Sequence, residues 1–238
     1  MTSPLHGHLG LGDRELIAIV GAGGKSTALF GLGAELAAGG SRVVLTTTTK
    51  MARDQVTDPA CWSSDPTAID AAFQEGRPLF VAKGSIPGKV TGPSPEAVDR
   101  IFAESTADYV IVEADGARSM SVKAPAEHEP VIPSRSTLAI VVVAIDAVGR
   151  TVQDAAHRPE RIAALTGVSP DSILTVPTLA AILLHTNGGL KGIPDSSRVA
   201  MVITRVTPET QASATELERI LEGNPRVAHV VTLAFAGH

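Results

Sequence analysis

The run Gly21-Ala22-Gly23-Gly24-Lys25-Ser26-Thr27 combines three things that phosphate chemistry needs. Glycines let backbone N–H groups approach an anion and adopt positive φ, a lysine adds a full positive charge, and a neighbouring hydroxyl can ligate Mg2+. The run follows the apolar stretch Leu16–Val20 and precedes a helix-like segment, the order strand, phosphate loop, helix N-terminus. The usual G-x-x-x-x-G-K-[ST] spacing would need a glycine where this chain has Ile19, so the loop is a shortened version. A Rossmann dinucleotide loop fits less well, because Lys25 stands where helix–strand packing wants a small residue. The expectation is a cradle for the β- and γ-phosphates of a nucleotide, ATP or GTP; the alternative is a glycine-rich turn carrying an exposed lysine.

Further chemistry-bearing residues stand at the ends of other apolar runs. Tyr109–Val112 is followed by Glu113-Ala114-Asp115-Gly116, which puts two carboxylates where a Walker-B acid holds Mg2+ directly or through water. Ser26, Glu113 and Asp115 are therefore the expected metal ligands, and Lys25, Glu113 and Asp115 the catalytic set. Thr46-Thr47-Thr48-Thr49-Lys50 offers a row of hydroxyls; Thr46 and Thr47 also suit a β-branched strand, and Thr48 and Thr49 are the ones expected to face phosphate or Mg2+. Asp146 follows Leu138–Ile145. After Met201–Ile203 comes Thr204-Arg205-Val206-Thr207, where many P-loop proteins carry Asn-Lys-x-Asp to read guanine, so the choice of base stays open. Lys123, Glu127, His128, His157 and Arg158, in KAPAEHEPVIP and HRPE, are candidates for an acceptor site, and Glu127-His128-Glu129 brings together metal-ligand residue types.

These residues need elements to position them. Short continuous apolar runs at Leu16–Val20, Arg42–Thr46, Leu79–Ala82, Tyr109–Val112, Leu138–Ile145, Val199–Ile203 and Ala228–Leu233 are rich in Val and Ile and do not alternate with polar residues. Strands buried on both faces of a parallel sheet have this character. Between them, Ser26–Ala38 has a helical face and stops at Gly39-Gly40, while Pro95–Ser105, Pro159–Thr166, Pro177–His185 and Pro208–Glu222 each open on a proline suited to a first helical turn. Alternating β and α segments predict an α/β fold of P-loop NTPase-like type, mainly parallel, with helices on both faces. Residues 1–238 read as a single domain, with 146–194 as a helical insertion and Ser85–Pro95 and Asn187–Ser197 as surface loops.

Composition removes several function classes. With 44% hydrophobic and 19% charged residues the chain is an ordinary folded one rather than a disordered one. A net charge of -5 without a basic run, and only 3% aromatic residues, argue against nucleic-acid binding. The longest apolar run is far short of the roughly 20 residues that cross a bilayer, and MTSPLHGHLGLGDRE lacks the basic start and apolar block of a signal peptide. Cys61 is the only cysteine, so no internal disulfide is expected and the cytoplasm is the expected compartment.

The compact G-x-x-G-K-[ST]-[ST] loop resembles that of the Mur-ligase group of ATP-using enzymes. More specifically, GAGGKST, TTTTK, EADGA, KAPAEHEPVIP, HRPE and GGLKG occur in an order that resembles the YqeC family, from about Ile17 to about Val206. That family is described as accessory proteins for selenium-dependent molybdenum hydroxylases. The resemblance implies a P-loop protein serving maturation of such a hydroxylase, with the hydroxylase or its cofactor-assembly machinery as partner. Family members tend to carry an Asn-containing run where this chain has Ile203–Thr207. Two other functions fit the residues: a ligase or kinase acting on a small acceptor, and a nucleotide-gated chaperone or scaffold with negligible turnover.

Overall fold

The computed structural model describes residues 4–116 and 120–234. Ala117, the last residue of the EADGA run, lies outside them. The first half of the described chain forms β1 (Glu15–Gly21), α1 (Lys25–Ala38), β2 (Val43–Thr47), β3 (Lys50–Ala52), β4 (Ala60–Cys61), α2 (Pro66–Ala72), β5 (Leu79–Val81), β6 (Gly84–Ile86), β7 (Lys89–Thr91) and α3 (Pro95–Glu104). There follow β8 (Tyr109–Glu113), β9 (Val122–Lys123), β10 (Leu138–Ala144), α4 (Val152–Ala155), β11 (Ala156–His157) and α5 (Pro159–Thr166). The chain closes with α6 (Val176–Leu184), β12 (Arg198–Val206), α7 (Gln211–Glu222) and β13 (His229–Ala234).

Eight strands make one parallel sheet in the order β13-β12-β10-β1-β8-β2-β5-β4. All seven residues of β10 and all five of β8 are buried, which explains why those runs are continuously apolar. Successive side chains of β10 enter opposite cores. Leu138, Ile140 and Val142 join α1 in one, while Ala139, Val141 and Val143 meet α4, α5, α6 and α7 in the other. A third core packs α2 and α3 beneath Leu16, Ala18, Val110 and Val112. Helices therefore cover both faces, and the architecture is α/β, consistent with a P-loop NTPase-like fold. The helices within 146–194 share their core with β10, β12 and α7. No helix among the described residues is long and apolar enough to cross a membrane.

The topology locates the site. From β1 the chain crosses by α1 to β2, leaving a gap later filled by β8, and then continues to β10 on the other side of β1. The direction in which strands are added across the sheet thus reverses at β1, and ligands of such sheets bind at that point, beyond the carboxyl ends of the strands.

Two expectations are corrected. Ser85–Pro95 is not a plain surface loop: β6 and β7 form a hairpin around Pro87-Gly88, with Gly88 at φ +70°, and β7 pairs antiparallel with β3. The hairpin persists because Val90 opposes Met51 and both are buried in the α1 core. Nor does α7 start at Pro208; residues 207–210 form a turn in which the Thr210 amide reaches the Thr207 carbonyl at 3.1 Å, and the helix begins at Gln211.

Candidate functional site

β1 ends at Gly21 and α1 begins at Lys25, so the loop is a tight reversal built from glycines. Gly21 has φ +96°, and a Cβ there would lie 2.2 Å from the Val142 carbonyl oxygen; at Gly23, with φ +80°, it would lie 2.5 Å from Ala144 Cβ. Backbone strain and overlap act together at both positions, so Gly21→Ala is expected to lower stability by about 3 kcal/mol. Urea unfolding of the variant beside wild type measures this.

The loop amides divide into two groups. Gly21 N–H donates to Asp115 Oδ2 at 3.1 Å and Ala22 N–H to the Val142 carbonyl at 2.9 Å, so neither faces a ligand. This narrows the cradle expected from the sequence. The amides of Gly23, Gly24, Lys25 and Ser26 meet no protein acceptor among the described residues, and they lie at the N-terminus of the 14-residue α1. Uncommitted donors at a helix start favour an anion.

Lys25 is not an exposed ornament: it is 6% exposed, with its ammonium 3.4 Å from Asp115 Oδ1 and 4.0 Å from Glu113 Oε1. Glu113 Oε2 accepts the Ser26 hydroxyl at 3.0 Å. Burial pushes the Glu113 carboxyl above its usual range, against the pull of Lys25 and the Ser26 hydrogen bond. Asp115 Oδ2 also pairs with Lys123 at 3.1 Å; Lys123 pairs with Glu129 Oε2 at 2.9 Å, and Arg158 reaches the same oxygen at 2.7 Å. Six charges thus alternate in sign along one line: Glu113, Lys25, Asp115, Lys123, Glu129, Arg158.

Residues 17–160, which contain this whole line, match the family model described as YqeC protein. The chain belongs to the YqeC family. It is 37% identical over 193 residues to "Uncharacterized protein YqeC" of Escherichia coli (strain K12), an alignment covering 80% of this chain and 75% of that protein. The YqeC match takes in every residue of the glycine loop and stops before β12.

The other expected site residues of this YqeC member are distributed as follows. Thr48 donates its hydroxyl to the Val131 carbonyl at 2.7 Å, and Thr49 Oγ1 lies 3.1 Å from Thr47 Oγ1, so both hydroxyls brace the loops around β8. Thr27 is exposed. Glu127 and His128 point to solvent while Glu129 turns inward, so the three do not converge on a metal ion. A turn with Ala126 sets this: the Glu129 amide bonds the Ala126 carbonyl at 3.1 Å, and Ala126 N–H returns to Glu129 Oε2 at 3.3 Å. Lys123 is buried in the ion line rather than facing an acceptor, and His157 stands beside it in the β9–β11 pairing. Arg158 adopts a left-handed φ of 69° just before α5.

Two contributors escaped the sequence reading. Thr204 donates its hydroxyl to the Gly23 carbonyl, clamping the loop to β12. Arg205, at φ 56° in the irregular stretch where β12 slips register, pairs with Asp146 at 2.8 Å and lies 3.4 Å from the Ser121 hydroxyl. The only sequence signal was their place after an apolar run.

Glu129 gives a pH prediction. Burial raises its carboxyl, but hydrogen bonds from Arg158 and Lys123 outweigh this and hold it at about 2, below the ordinary 4.5. A depressed carboxyl adds stability above its unfolded value, and that stability is lost as pH falls from about 4.5 toward about 2. Glu129→Gln should be less stable than wild type at neutral pH. The difference should narrow across that window, as urea midpoints measured at successive pH values will show.

Proposed function

We propose that this protein binds a nucleoside triphosphate, ATP or GTP, with Mg2+ and cleaves or transfers its terminal phosphoryl group. The observation that carries the reading is the buried Lys25 ammonium, balanced by two carboxylates and set beside the uncommitted amides of residues 23–26. These donors would hold the β- and γ-phosphate oxygens, and Lys25 would exchange Asp115 for phosphate. Asp115 stays balanced in that exchange, because Lys123 and the Gly21 amide still hold it.

Mg2+ is commonly held through one or two carboxylates, a hydroxyl, phosphate oxygens and water. Ser26 Oγ and Glu113 Oε2, already 3.0 Å apart, would supply the hydroxyl and a carboxylate, and Asp115, 3.4 Å from the Lys25 ammonium, would be a second carboxylate. When bound, the ion would offset charge on the transferring group. The protein's own part would be positioning: the glycine loop would hold the phosphates, and Thr204 keeps Gly23 in place.

A role in maturing a selenium-dependent molybdenum hydroxylase is supported by membership of the YqeC family and forms part of this proposal. A cytoplasmic setting is supported by the buried single cysteine, Cys61. Phosphate release from Mg-ATP and Mg-GTP by the purified protein tests the chemistry. Turnover lost in Lys25→Ala identifies an NTPase or phosphotransferase; tight binding with negligible release identifies a nucleotide-gated switch; no binding by wild type overturns the proposal.

A further inference from the structure

Three segments that the phosphate site leaves unused meet at one cleft. Glu127 from the turn after β9, Glu160, Arg161, Ala164 and Leu165 from α5, and Asn187 and Lys191 from the loop after α6 line a cavity of about 550 Å³. That volume lies within the usual range for small-molecule sites.

The cleft carries charges of both signs. Glu127 and Glu160 are exposed carboxylates and Arg161 is a half-buried guanidinium, yet no ion pair joins any of them among the described residues. Lys191 bonds the carbonyls of Ala126 and Glu127, which fixes the rim and leaves its charge unmatched by any carboxylate. Both signs therefore face the same cavity without neutralising each other. A ligand that carries both signs can satisfy them together, while Ala164 and Leu165 offer an apolar wall to its carbon skeleton.

We propose that this cleft binds a small zwitterion of the α-amino acid class, its carboxylate toward Arg161 and Lys191 and its ammonium toward Glu127 and Glu160. The inference goes beyond the phosphate-site reading, since the cleft shares no lining residue with the glycine loop. The two sites are physically joined: Glu129 anchors the turn that carries Glu127, and Arg158, bonded to Glu129, precedes Pro159-Glu160 at the start of α5.

The test titrates the common free L-α-amino acids into the full-length protein by calorimetry, then repeats the best binder with Arg161→Met and Glu160→Gln. Saturable binding weakened about tenfold or more in each variant, with unchanged melting temperature and unchanged Mg-nucleotide affinity, is the expected result. The N-acetyl and methyl-ester derivatives, each lacking one charge, should bind more weakly than the parent. No saturable binding by any of the amino acids overturns the proposal, as does binding that neither variant weakens. Amino-acid binding in a protein that ignores Mg-nucleotide would instead retain this inference and defeat the phosphate-site reading.

Discussion

Replacing Lys123 by methionine is expected to cost about 3–5 kcal/mol of folding stability, the range for removing one partner from a buried ion pair. The Lys123 side chain is 1% exposed, and its ammonium lies 3.1 Å from Asp115, 2.9 Å from Glu129 and 2.5 Å from the Gly116 carbonyl. Methionine fills a similar volume but leaves two carboxylates in a buried setting with less compensation. Glu129 would keep Arg158, and Asp115 would keep Lys25 and the Gly21 amide. Asp115 would then hold Lys25 more firmly and compete with phosphate for it, so nucleotide binding should weaken as well. Urea unfolding distinguishes this from a lysine facing an acceptor, whose replacement would change stability by no more than about 0.5 kcal/mol.

The second large effect belongs to Lys25→Ala, expected to weaken Mg-nucleotide binding about 100-fold, or ~2.7 kcal/mol. An ammonium contacting phosphate makes charge-assisted hydrogen bonds in a site where burial weakens competition from water. Alanine also removes the counter-charge of Glu113 and Asp115. The fold should tolerate that loss better than loss of Lys123, because Asp115 keeps Lys123 and the Gly21 amide and Glu113 keeps the Ser26 hydroxyl. A melting temperature close to wild type together with the lost affinity would assign the effect to the site.

Much of this arrangement was legible in the residues. The Val-rich run after Leu138 announced a strand buried on both faces, and β10 is buried at every position. The order strand, glycines, lysine, hydroxyl, helix is the order found from β1 into α1, and the two carboxylates after an apolar run stand at and just past the end of β8. Local pattern carries such features because each depends on residues close together in the chain.

What was not legible depended on distant partners. Whether Lys123 faces in or out is decided by the β9–β11 pairing and by Asp115 and Glu129, and nothing within KAPAEHEPVIP distinguishes Glu129, turned inward, from Glu127, turned outward. The left-handed backbone of Arg205 and the Thr204 clamp on Gly23 follow from how β12 meets β10 and the glycine loop. The hairpin at Pro87-Gly88 looked like a loop because its strands are only three residues long and its anchor, Met51, lies far upstream.

The central claim is that the loop from Gly23 to Ser26 binds nucleotide phosphates through its amides and Lys25. Calorimetric titration of ATP and of GTP, with and without Mg2+, into wild type and Lys25→Ala tests it most directly. Saturable, Mg2+-dependent binding of at least one nucleotide by wild type, lost or weakened about 100-fold in the variant, is the predicted result. Equal binding by both proteins, or none by wild type, would contradict it.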